Sequence, residues 1–422
     1  MIRIIYNFVL LLVWVLKPIV ILCNKKFATR EKKWKIVFQE NLAKINAKGQ
    51  KETFWIHSAS MGEFEQAKPL IEIIKEKRPN AFVVATFFSP SGYENQKNYP
   101  FADVLLYLPF DFWWLAKMFV DTIEPNYAIF VKYEFWLNYL YELRKKNVPT
   151  FLVSATEPFR GNNFLYRRYL KHSLNFFNKV FVLDPKDLEF YKKLNLKVPI
   201  AIEYDTRYDR VFSQIRSVKS LPISKDELKG DFVLVAGSVW EQDLNLIFKA
   251  KKILEQNFKI RIIYVPHEPS DSIIELIEKN DTNTIRYSAF ANLVNEKEKR
   301  KVFQEKNIIV DRIGILLSLY SLADIAYVGG GFGKGLHSVI EPAGYFLPII
   351  CGGNIYNSKD AINMKENGTL FVVNNEIEFA KVITELKDSN YYKTIKKKAE
   401  AYFTKRVGAT QRIINEILNT AN

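Results

Sequence analysis

The chain has 422 residues, of which 48% are apolar and 25% charged, and its formal net charge is +15. This composition is globular, it excludes a disordered or fibrous protein, and the length predicts two to three domains. Two cysteines make no disulfide framework and suit no metal site, which favours a reducing compartment. The positive charge fits nucleic acid, an anionic membrane surface or phosphorylated substrates without choosing among them.

The first element in chain order is an apolar segment over residues 4–23, interrupted by Asn7, Lys17 and Pro18. Its length is near the ~20 residues that cross a bilayer. A strongly basic stretch follows at once, which favours a cytoplasmic location for the rest of the chain. The segment is a poor match to a signal peptide, because no small-residue cleavage site follows it. We therefore expect residues 1–25 to anchor the chain in a membrane, either spanning it or lying in its interface. A buried soluble helix is the alternative.

Beyond this segment, short apolar runs rich in β-branched and aromatic residues alternate with longer amphipathic stretches. Nearly continuous apolar strands separated by helices indicate a parallel sheet covered on both faces. In the first half the predicted strands are 53–59, 81–88, 103–109, 127–133, 150–155, 179–184 and 198–203.

The alternation restarts after a polar stretch over residues 213–231. We predict an α/β fold of two doubly wound, Rossmann-like domains facing a cleft, with ligands at the carboxyl ends of the strands. The N-terminal domain covers 35–208, the C-terminal domain 209–405, and a basic C-terminal helix 406–422. In the second half the predicted strands are 232–238, 260–266, 307–312, 324–330, 347–353 and 370–374.

The first candidate loop is HSASMGEFEQAKPLIE, residues 57–72, where a strand ends in small residues and a helix begins near Glu63. A carboxylate at this position can work as a general base. The alternative is that Glu63 or Glu65 only complements the helix dipole.

The second candidate is Glu134 in VKYEFWLN, which follows an apolar strand and is flanked by aromatic residues. A carboxylate in such a setting is either exposed at a site or paired, because burying it alone is costly. A buried ion pair with Lys132 is the structural alternative.

Two loops in the second half resemble ligand-binding turns. In VAGSVWEQD, Ser238 lies between a strand and a helix, where backbone amides can hold a phosphate or Ser238 can be an ordinary helix cap. In VPHEP, His267 lies between two prolines after another strand, where a nucleotide contact and a plain turn are equally plausible.

The fifth candidate is GGGFGKGLHSVIEP, residues 329–342, which contains five glycines in its first seven residues. Its glycine order matches neither the Walker A loop nor the dinucleotide-binding fingerprint. If a helix begins near His337, Glu341 lies one turn further on the same face. No further acidic or histidine cluster completes a metal site around this pair.

These motifs together resemble the 3-deoxy-D-manno-octulosonic acid (Kdo) transferases of lipopolysaccharide synthesis, which are GT-B glycosyltransferases. The resemblance covers nearly the whole chain and includes the anchor, HSASMGEFEQ, VKYEFWLN, EYDTRYDRV, GSVWEQD and GLHSVIEPAGYFLPIICG in that order. It implies that Glu63 is the general base and that Glu134 is a second acidic residue of the active site. The donor-binding residues that it implies are Ser238, His267, Gly329, Gly330, Lys334, Gly335, His337, Ser338, Glu341 and Asn357.

The sequence departs from the family pattern at several donor positions. His267 stands where the family has a phosphate-binding arginine, and Leu336 and Ser338 replace a glycine and an asparagine.

The resemblance implies transfer of Kdo from CMP-Kdo to a lipid A precursor on the cytoplasmic face of the inner membrane, without metal or cofactor. The alternatives are a GT-B enzyme that uses a UDP-sugar on another membrane acceptor, and a catalytically inactive membrane-tethered homologue. Nucleic acid is not expected as a partner, because the basic residues lie beside the apolar segment and near the C-terminus without a recognition motif.

Overall fold

A computed structural model describes residues 2–158, 163–218, 221, 224–225, 232–293, 295–333 and 335–420, without the side chains of Val20, Lys26 and Glu296. The chain divides into two compact units. Unit 1 comprises Met1–Asp209 with Arg406–Asn422, and unit 2 comprises Arg210–Lys405.

Unit 1 is built on a parallel sheet of seven strands in the order β3-β2-β1-β4-β5-β6-β7. All seven predicted strands of the first half are present. Nearly every strand position is buried, because helices cover both faces of the sheet. The strands are β1 (Thr53–Ser58), β2 (Phe82–Phe87), β3 (Val104–Tyr107), β4 (Tyr127–Val131), β5 (Thr150–Ala155), β6 (Lys179–Val182) and β7 (Ile200–Ile202).

Some helices of unit 1 begin at side chains that cap their free amides. Asn24, Asn163 and Asp184 accept hydrogen bonds from the first turns of α2, α7 and α8. The last helix of the chain, α19, buries Ile413, Ile414 and Ile417 in the core of unit 1. The helices are α1 (Ile2–Cys23), α2 (Lys25–Asn46), α3 (Met61–Lys77), α4 (Pro90–Gln96), α5 (Trp113–Ile123), α6 (Leu137–Lys145), α7 (Phe164–Leu174), α8 (Pro185–Lys193), α9 (Arg207–Arg216), which continues into unit 2, and α19 (Ala409–Asn419).

Unit 2 contains a second parallel sheet of seven strands in the order β10-β11-β9-β8-β12-β13-β14. The sequence predicted six of them and missed β10, since three half-exposed residues carry no periodic signal. The strands are β8 (Phe232–Val239), β9 (Ile260–Pro266), β10 (Thr284–Arg286), β11 (Asn307–Ile309), β12 (Ile325–Val328), β13 (Ile349–Gly352) and β14 (Leu370–Val373).

Helices cover both faces of this sheet as well. The longest, α10 and α18, are amphipathic and bury apolar residues of one side only. The helices are α10 (Glu241–Leu254), α11 (Asp271–Asn280), α12 (Tyr287–Ala291), α13 (Glu296–Glu305), α14 (Leu316–Leu319), α15 (Ile340–Ala343), α16 (Lys359–Asn367), α17 (Glu376–Leu386) and α18 (Ser389–Thr404).

Each sheet separates two apolar cores. In unit 1, Trp55 and Phe130 point into one core, and Phe54 and Ile129 into the other. Burying each large apolar side chain stabilises the fold by about 1.5 to 3 kcal/mol, so the two-faced burial explains the continuous apolar runs of the sequence. The predicted α/β class with two doubly wound sheets is confirmed.

Helix α1 is long and apolar enough to cross a membrane, and none of its residues Ile2–Ile19 is buried. The N-terminal apolar helix predicted from the sequence is therefore present.

Candidate active site

The candidate residues lie where each sheet reverses its strand order. In unit 1 the reversal falls between β1 and β4, and the segments that follow these strands carry Glu63 and Glu134. In unit 2 it falls between β8 and β12; Ser238 lies near the end of β8, and the glycine loop, residues 329–335, follows β12. Ligands of doubly wound sheets bind at this point, beyond the carboxyl ends of the strands.

Glu63 is fixed at the start of α3 by backbone hydrogen bonds. Its Oε2 accepts from the amides of Ala59 at 2.6 Å and Ser60 at 3.2 Å, as the glutamate of a capping box. Glu63 therefore does cap the helix, as the structural alternative predicts. The two roles are compatible, because the capping bonds hold the half-buried carboxylate in one place.

Glu134 is buried in a hydrogen-bonded cluster with His57, Thr86 and Trp136. Its Oε2 lies 3.0 Å from His57 Nε2 and also accepts from Trp136 Nε1. The opposite ring nitrogen, His57 Nδ1, lies 2.9 Å from Thr86 Oγ1. The partner of Glu134 is thus the His57 imidazole at hydrogen-bond distance, and the alternative of a pair with Lys132 is wrong.

The two glutamates influence each other. Burial raises the pKa of Glu63 above its ordinary value, and the negative charge of Glu134 raises it further. The positive charge of Lys132 offsets part of this increase. Lys132 has a left-handed backbone, with φ 65°, at the end of β4, a strained conformation that clusters at functional sites. A carboxylate with a raised pKa is a stronger base, as proton abstraction near neutral pH requires.

In unit 2, Asp243 organises the glycine loop from the first turn of α10. It is buried, and its carboxylate accepts from the Gly330 amide at 3.0 Å, the Trp240 amide at 2.9 Å and the Tyr327 hydroxyl at 2.6 Å. Hydrogen bonds to a charged acceptor are stronger than those between neutral groups. Asp243 therefore fixes the glycine loop against the start of α10.

The loop itself folds tightly back on its own backbone. Gly330 has φ +92°, and a Cβ added to it would lie 2.2 Å from the carbonyl oxygen of Gly335. The amides of Gly335 and Gly333 both donate to the Gly330 carbonyl at 3.2 Å. Only glycine satisfies both the left-handed backbone and this close approach.

Three rings, those of Trp240, His267 and His337, form a stacked group beside the glycine loop. The imidazoles of His267 and His337 lie 4.3 Å apart at 24°, and the Trp240 indole is 4.6 Å from His267. Trp240 Nε1 donates to His337 Nε2 at 3.1 Å, so that the proton of the neutral ring lies on Nδ1. Burial, and then the charge of His267, lower the pKa of His337.

An open cavity of about 360 Å³ adjoins this group, lined by residues of α10 and of the glycine loop. The exposed Asn357 closes against the loop, since a Cβ on Gly335 would lie 2.8 Å from its amide nitrogen. The residues that line the cavity are Trp240, Glu241, Gln242, Asp243, Gly330 and Gly333.

The structure corrects two local expectations in unit 2. Helix α15 begins only at Ile340, so His337 lies in the preceding loop and does not share a helix face with Glu341. Ser238 does not cap α10, because β8 continues to Val239 and the cap is Trp240. Instead Ser238 has φ 53° beside an irregularity in the pairing of β8 with β9.

The predicted donor residues are not all brought together by hydrogen bonds or stacking. Gly329 joins the group, because its amide donates to the Gly237 carbonyl and its carbonyl accepts from His337. Ser338 is exposed, and Glu341 is half-buried, where its negative charge adds to the burial that raises the pKa of Tyr345 to about 12. Lys334 lies outside the described residues.

Sequence reasoning missed the polar partners that hold these sites. His57 stands in the same strand–loop motif as Glu63, and Trp240 and Asp243 stand in the motif of Ser238. A side chain that stabilises another has no spacing signature of its own when the partner is distant in the chain. Among the residues that the structure describes, no group of three or more His, Cys, Asp or Glu side chains is placed to hold a metal ion.

Residues 37–210 match the sequence model of a family described as 3-deoxy-D-manno-octulosonic-acid transferase. The chain is 30% identical over 358 residues to the 3-deoxy-D-manno-octulosonic acid transferase of Aquifex aeolicus, covering 83% of this chain and 90% of that protein. It is 26% identical to the enzyme of the same name from Haemophilus influenzae, covering 74% of this chain and 73% of that protein. It is also 26% identical to the enzyme of the same name from Chlamydia muridarum, covering 83% of this chain and 82% of that protein.

Two solved structures share the architecture. A UDP-N-acetylglucosamine 2-epimerase superposes with a TM-score of 0.56 at 13% identity, covering 87% of this chain and 95% of that one. Acinetobacter baumannii MurG superposes with a TM-score of 0.55 at 11% identity, covering 87% and 99%. At these identities the similarity concerns the fold, and it confirms the predicted GT-B class.

Proposed function

The chain belongs to the 3-deoxy-D-manno-octulosonic acid transferase family of glycosyltransferases, and from that membership we propose that it transfers Kdo from CMP-Kdo to a lipid A precursor. The observation that carries the proposal is the pair of glutamates at the switch point of unit 1, one of them held as a base with a raised pKa. An inactive homologue would have no reason to keep a buried carboxylate cluster that costs stability.

Glu63 accepts the proton of the attacking hydroxyl group. As the acceptor oxygen forms a bond to the anomeric carbon of Kdo, the bond from that carbon to the phosphate oxygen breaks, and CMP leaves with the electron pair. The proton that was on the hydroxyl group is then on Glu63. Burial, and then the charge of Glu134, raise the pKa of Glu63 and so make it a stronger base than an ordinary glutamate.

Unit 2 binds the nucleotide part of the donor. The glycine loop permits close backbone approach, and the cavity beside it is large enough for part of a nucleotide. The exposed imidazole of His267 and the Nδ1–H of His337 can donate hydrogen bonds to the phosphate. They stand in for the guanidinium group that the family pattern has at residue 267. We propose that no metal is needed, because a monophosphate leaving group carries little charge to neutralise.

Helix α1 binds the cytoplasmic face of the inner membrane by lying on it. Near its N-terminus, Arg3 donates to Asn138 at 3.0 Å and Tyr6 to Asp111 at 2.7 Å. Near the other end Lys17 pairs with Glu31. A helix held to unit 1 at both ends runs along the surface of that unit, which favours the interfacial arrangement over spanning.

The opposite face of α1 exposes a row of apolar side chains. Exposure reaches 74% at Ile4 and 85% at Leu22. The exposed Phe164 and Leu165 begin α7, whose Tyr169 stacks on Tyr6 of α1 at 5.8 Å. Exposed lysines follow on α2, where anionic headgroups add about 1 kcal/mol of attraction per basic residue.

The decisive test of the function is the mass of the product after incubation with CMP-Kdo and a lipid A precursor. We expect the acceptor to gain one or more Kdo residues, whereas UDP-sugars give no product. No gain from CMP-Kdo would refute the proposal. Retained activity in EDTA supports metal independence, and activity restored only by a divalent ion contradicts it.

Membrane attachment is tested by flotation with anionic vesicles. We expect Phe8→Glu with Leu12→Glu on the exposed face of α1 to abolish flotation. The matched control is Ile377→Glu, which places the same charge on an exposed apolar residue of unit 2 and leaves flotation intact. Labelling decides the orientation. The natural exposed Cys23 and a cysteine in an Ile2→Cys variant react from the same side if the helix lies flat, and from opposite sides if it spans.

A further inference from the structure

His57 has no part in the proton transfer just described, yet the fold encloses it beside both carboxylates. It is 0% exposed on β1 and pairs across the sheet with Thr86 of β2 and Phe130 of β4. Both of its ring nitrogens are within hydrogen-bond distance of a partner. A buried imidazole with two satisfied nitrogens has one orientation and one tautomer.

The neighbours of His57 determine that tautomer. Trp55 Nε1 can only donate, and it donates to Thr86 Oγ1 at 2.9 Å. The hydroxyl proton of Thr86 is then available to His57 Nδ1, also at 2.9 Å, whereas its other acceptor, the Ile56 carbonyl, is 3.5 Å away. Nδ1 is therefore an acceptor, and the proton of the neutral ring lies on Nε2.

This Nε2–H points at Glu134. Glu134 Oε2 thus accepts two N–H groups, from His57 at 3.0 Å and from Trp136, and only 8% of the residue is exposed. Hydrogen bonds to a carboxylate favour its charged form, and two rigid donors also fix its position. Trp136 Nε1 lies 3.1 Å from His57 Nε2, because both N–H groups converge on the same carboxylate oxygen.

We propose that His57 is a positioning residue, which as a neutral Nε2–H imidazole holds Glu134 ionised and in one orientation beside Glu63. The proposal rests on Glu63 acting as the base. Besides burial, the charges that act on Glu63 are those of Glu134 and Lys132, so the strength of the base depends on where the charge of Glu134 is kept. A chain of donors from Trp55 through Thr86 and His57 thereby ends at Glu134, whose charge acts on Glu63.

A matched pair of variants separates hydrogen bonding from packing. In His57→Gln the amide nitrogen can occupy the place of Nε2 and still donate to Glu134, whereas in His57→Asn it reaches only the place of Nδ1. We expect kcat of His57→Asn to fall about 10- to 100-fold. Losses of this size are typical when a residue that orients a metal-binding side chain is removed. The donor KM stays unchanged, and His57→Gln recovers most of the rate. Equal losses in both variants would assign His57 to packing and overturn the proposal.

A double-mutant cycle asks whether His57 acts through Glu134. In a Glu134→Gln background we expect His57→Asn to cost nothing further in kcat. A loss as large as in the parent background shows that His57 acts independently of Glu134, which contradicts the proposal. The Tm of each variant, measured alongside, identifies a rate loss that comes from unfolding.

Selective ¹⁵N labelling of histidine in the full chain tests the geometry without any activity. The chain has four histidines, and the His57 signals are those that disappear in His57→Asn. We expect an unprotonated Nδ1 and a hydrogen-bonded Nε2–H, and the Nε2–H signal shifts in Glu134→Gln. A proton on Nδ1, or a charged ring at neutral pH, overturns the proposal. If the parent fails to transfer Kdo, the proposed function falls, while this spectrum still decides the role of His57 toward Glu134.

Discussion

The two sites solve different chemical problems with different parts of the chain. In unit 1 the proposed active groups are side chains. Glu134 is buried and held by other side chains, whereas the half-buried Glu63 is held by backbone amides. In unit 2 the candidate binding surface is largely the backbone of the glycine loop, beside an open cavity, the exposed His267 and the half-buried His337.

This difference in construction fits the roles that we propose, proton transfer in unit 1 and nucleotide binding in unit 2. Moving a proton requires a group whose pKa and position are held by its surroundings, since a base must lie within hydrogen-bond reach of the proton. Holding a nucleotide requires space, close backbone approach and donors that can reach a phosphate. We therefore expect changes in unit 1 to act on kcat, and changes in unit 2 to act on the donor KM.

The largest effect is expected from Glu63→Gln. A glutamine keeps the capping bonds to Ala59 and Ser60 but cannot take the proton, so kcat falls about 10²- to 10⁴-fold with an unchanged donor KM. Steady-state kinetics with CMP-Kdo measures both constants. The control is Glu65→Gln in the same turn, which should keep the parent rate. A Glu63→Gln enzyme with the same kcat as the Glu65→Gln control would rule out Glu63 as the base.

Next in size is the loss of donor affinity in Gly330→Ala. The added methyl group would lie 2.2 Å from the Gly335 carbonyl and must displace the loop, so we expect the donor KM to rise at least about tenfold, the effect of about 1.4 kcal/mol of lost binding. Gly314→Ala is the matched control, because Gly314 has φ +89° but no atom near its Cβ. It should cost about 1 to 2 kcal/mol of folding free energy and leave the donor KM unaltered. Equal KM values for the two variants would remove the loop from the donor site.

The pH dependence of kcat gives a smaller effect within unit 1. The base works only when deprotonated, so kcat falls as the pH decreases through the raised pKa of Glu63, at a higher pH than for an ordinary glutamate. In Glu134→Gln the repulsion is gone, and this acidic limb should move to lower pH. A limb that stays in place would show that Glu134 does not act on Glu63 through its charge.

The same raised pKa makes Glu63 costly to the fold. A group whose folded pKa is raised contributes stability at low pH, and this contribution is lost as the pH rises through the folded pKa. Above that pH, Glu63→Gln should therefore melt at a higher temperature than the parent, and the difference should disappear in acid. Thermal unfolding at two pH values measures it, and a lower Tm of the variant at neutral pH contradicts this balance.

The smallest effect is expected from the exposed His267. Removing one hydrogen-bond donor to the phosphate in His267→Ala should raise the donor KM about three- to tenfold, since a single such bond contributes about 1 kcal/mol. His267→Arg restores a permanent cation and should lower the KM below that of the parent. His172→Ala, outside both sites, is the control, and a change in kcat alone would argue against a donor contact.

The fold could be predicted from the sequence because its signals are local. Continuous apolar runs such as that of β1 give buried parallel strands, and the two glutamates follow such runs directly. The short edge strand β10 carries no such signal. The helix face expected for His337 and Glu341 was wrong because α15 begins only at Ile340, so that His337 still lies in the segment that joins the glycine loop to this helix.

The supporting residues could not be predicted, because their partners are far apart in the chain. His57 meets Glu134 across 77 positions, and Trp240 meets His337 across 97. The pairing of β1 with β4, and of β8 with β12, brings them together. Only the tertiary structure reveals that Trp240, and not Ser238, contacts His337.

The most direct test of this division is to measure donor binding and Kdo transfer side by side in Glu63→Gln and Gly330→Ala. Calorimetry with CMP-Kdo gives the affinity, and product mass gives the transfer. We expect Glu63→Gln to bind the donor as tightly as the parent but to transfer almost none. We expect Gly330→Ala to bind weakly and to approach the parent rate only when the donor is in large excess. A Glu63→Gln enzyme that loses donor affinity, or a Gly330→Ala enzyme that binds normally but cannot transfer, would contradict this division.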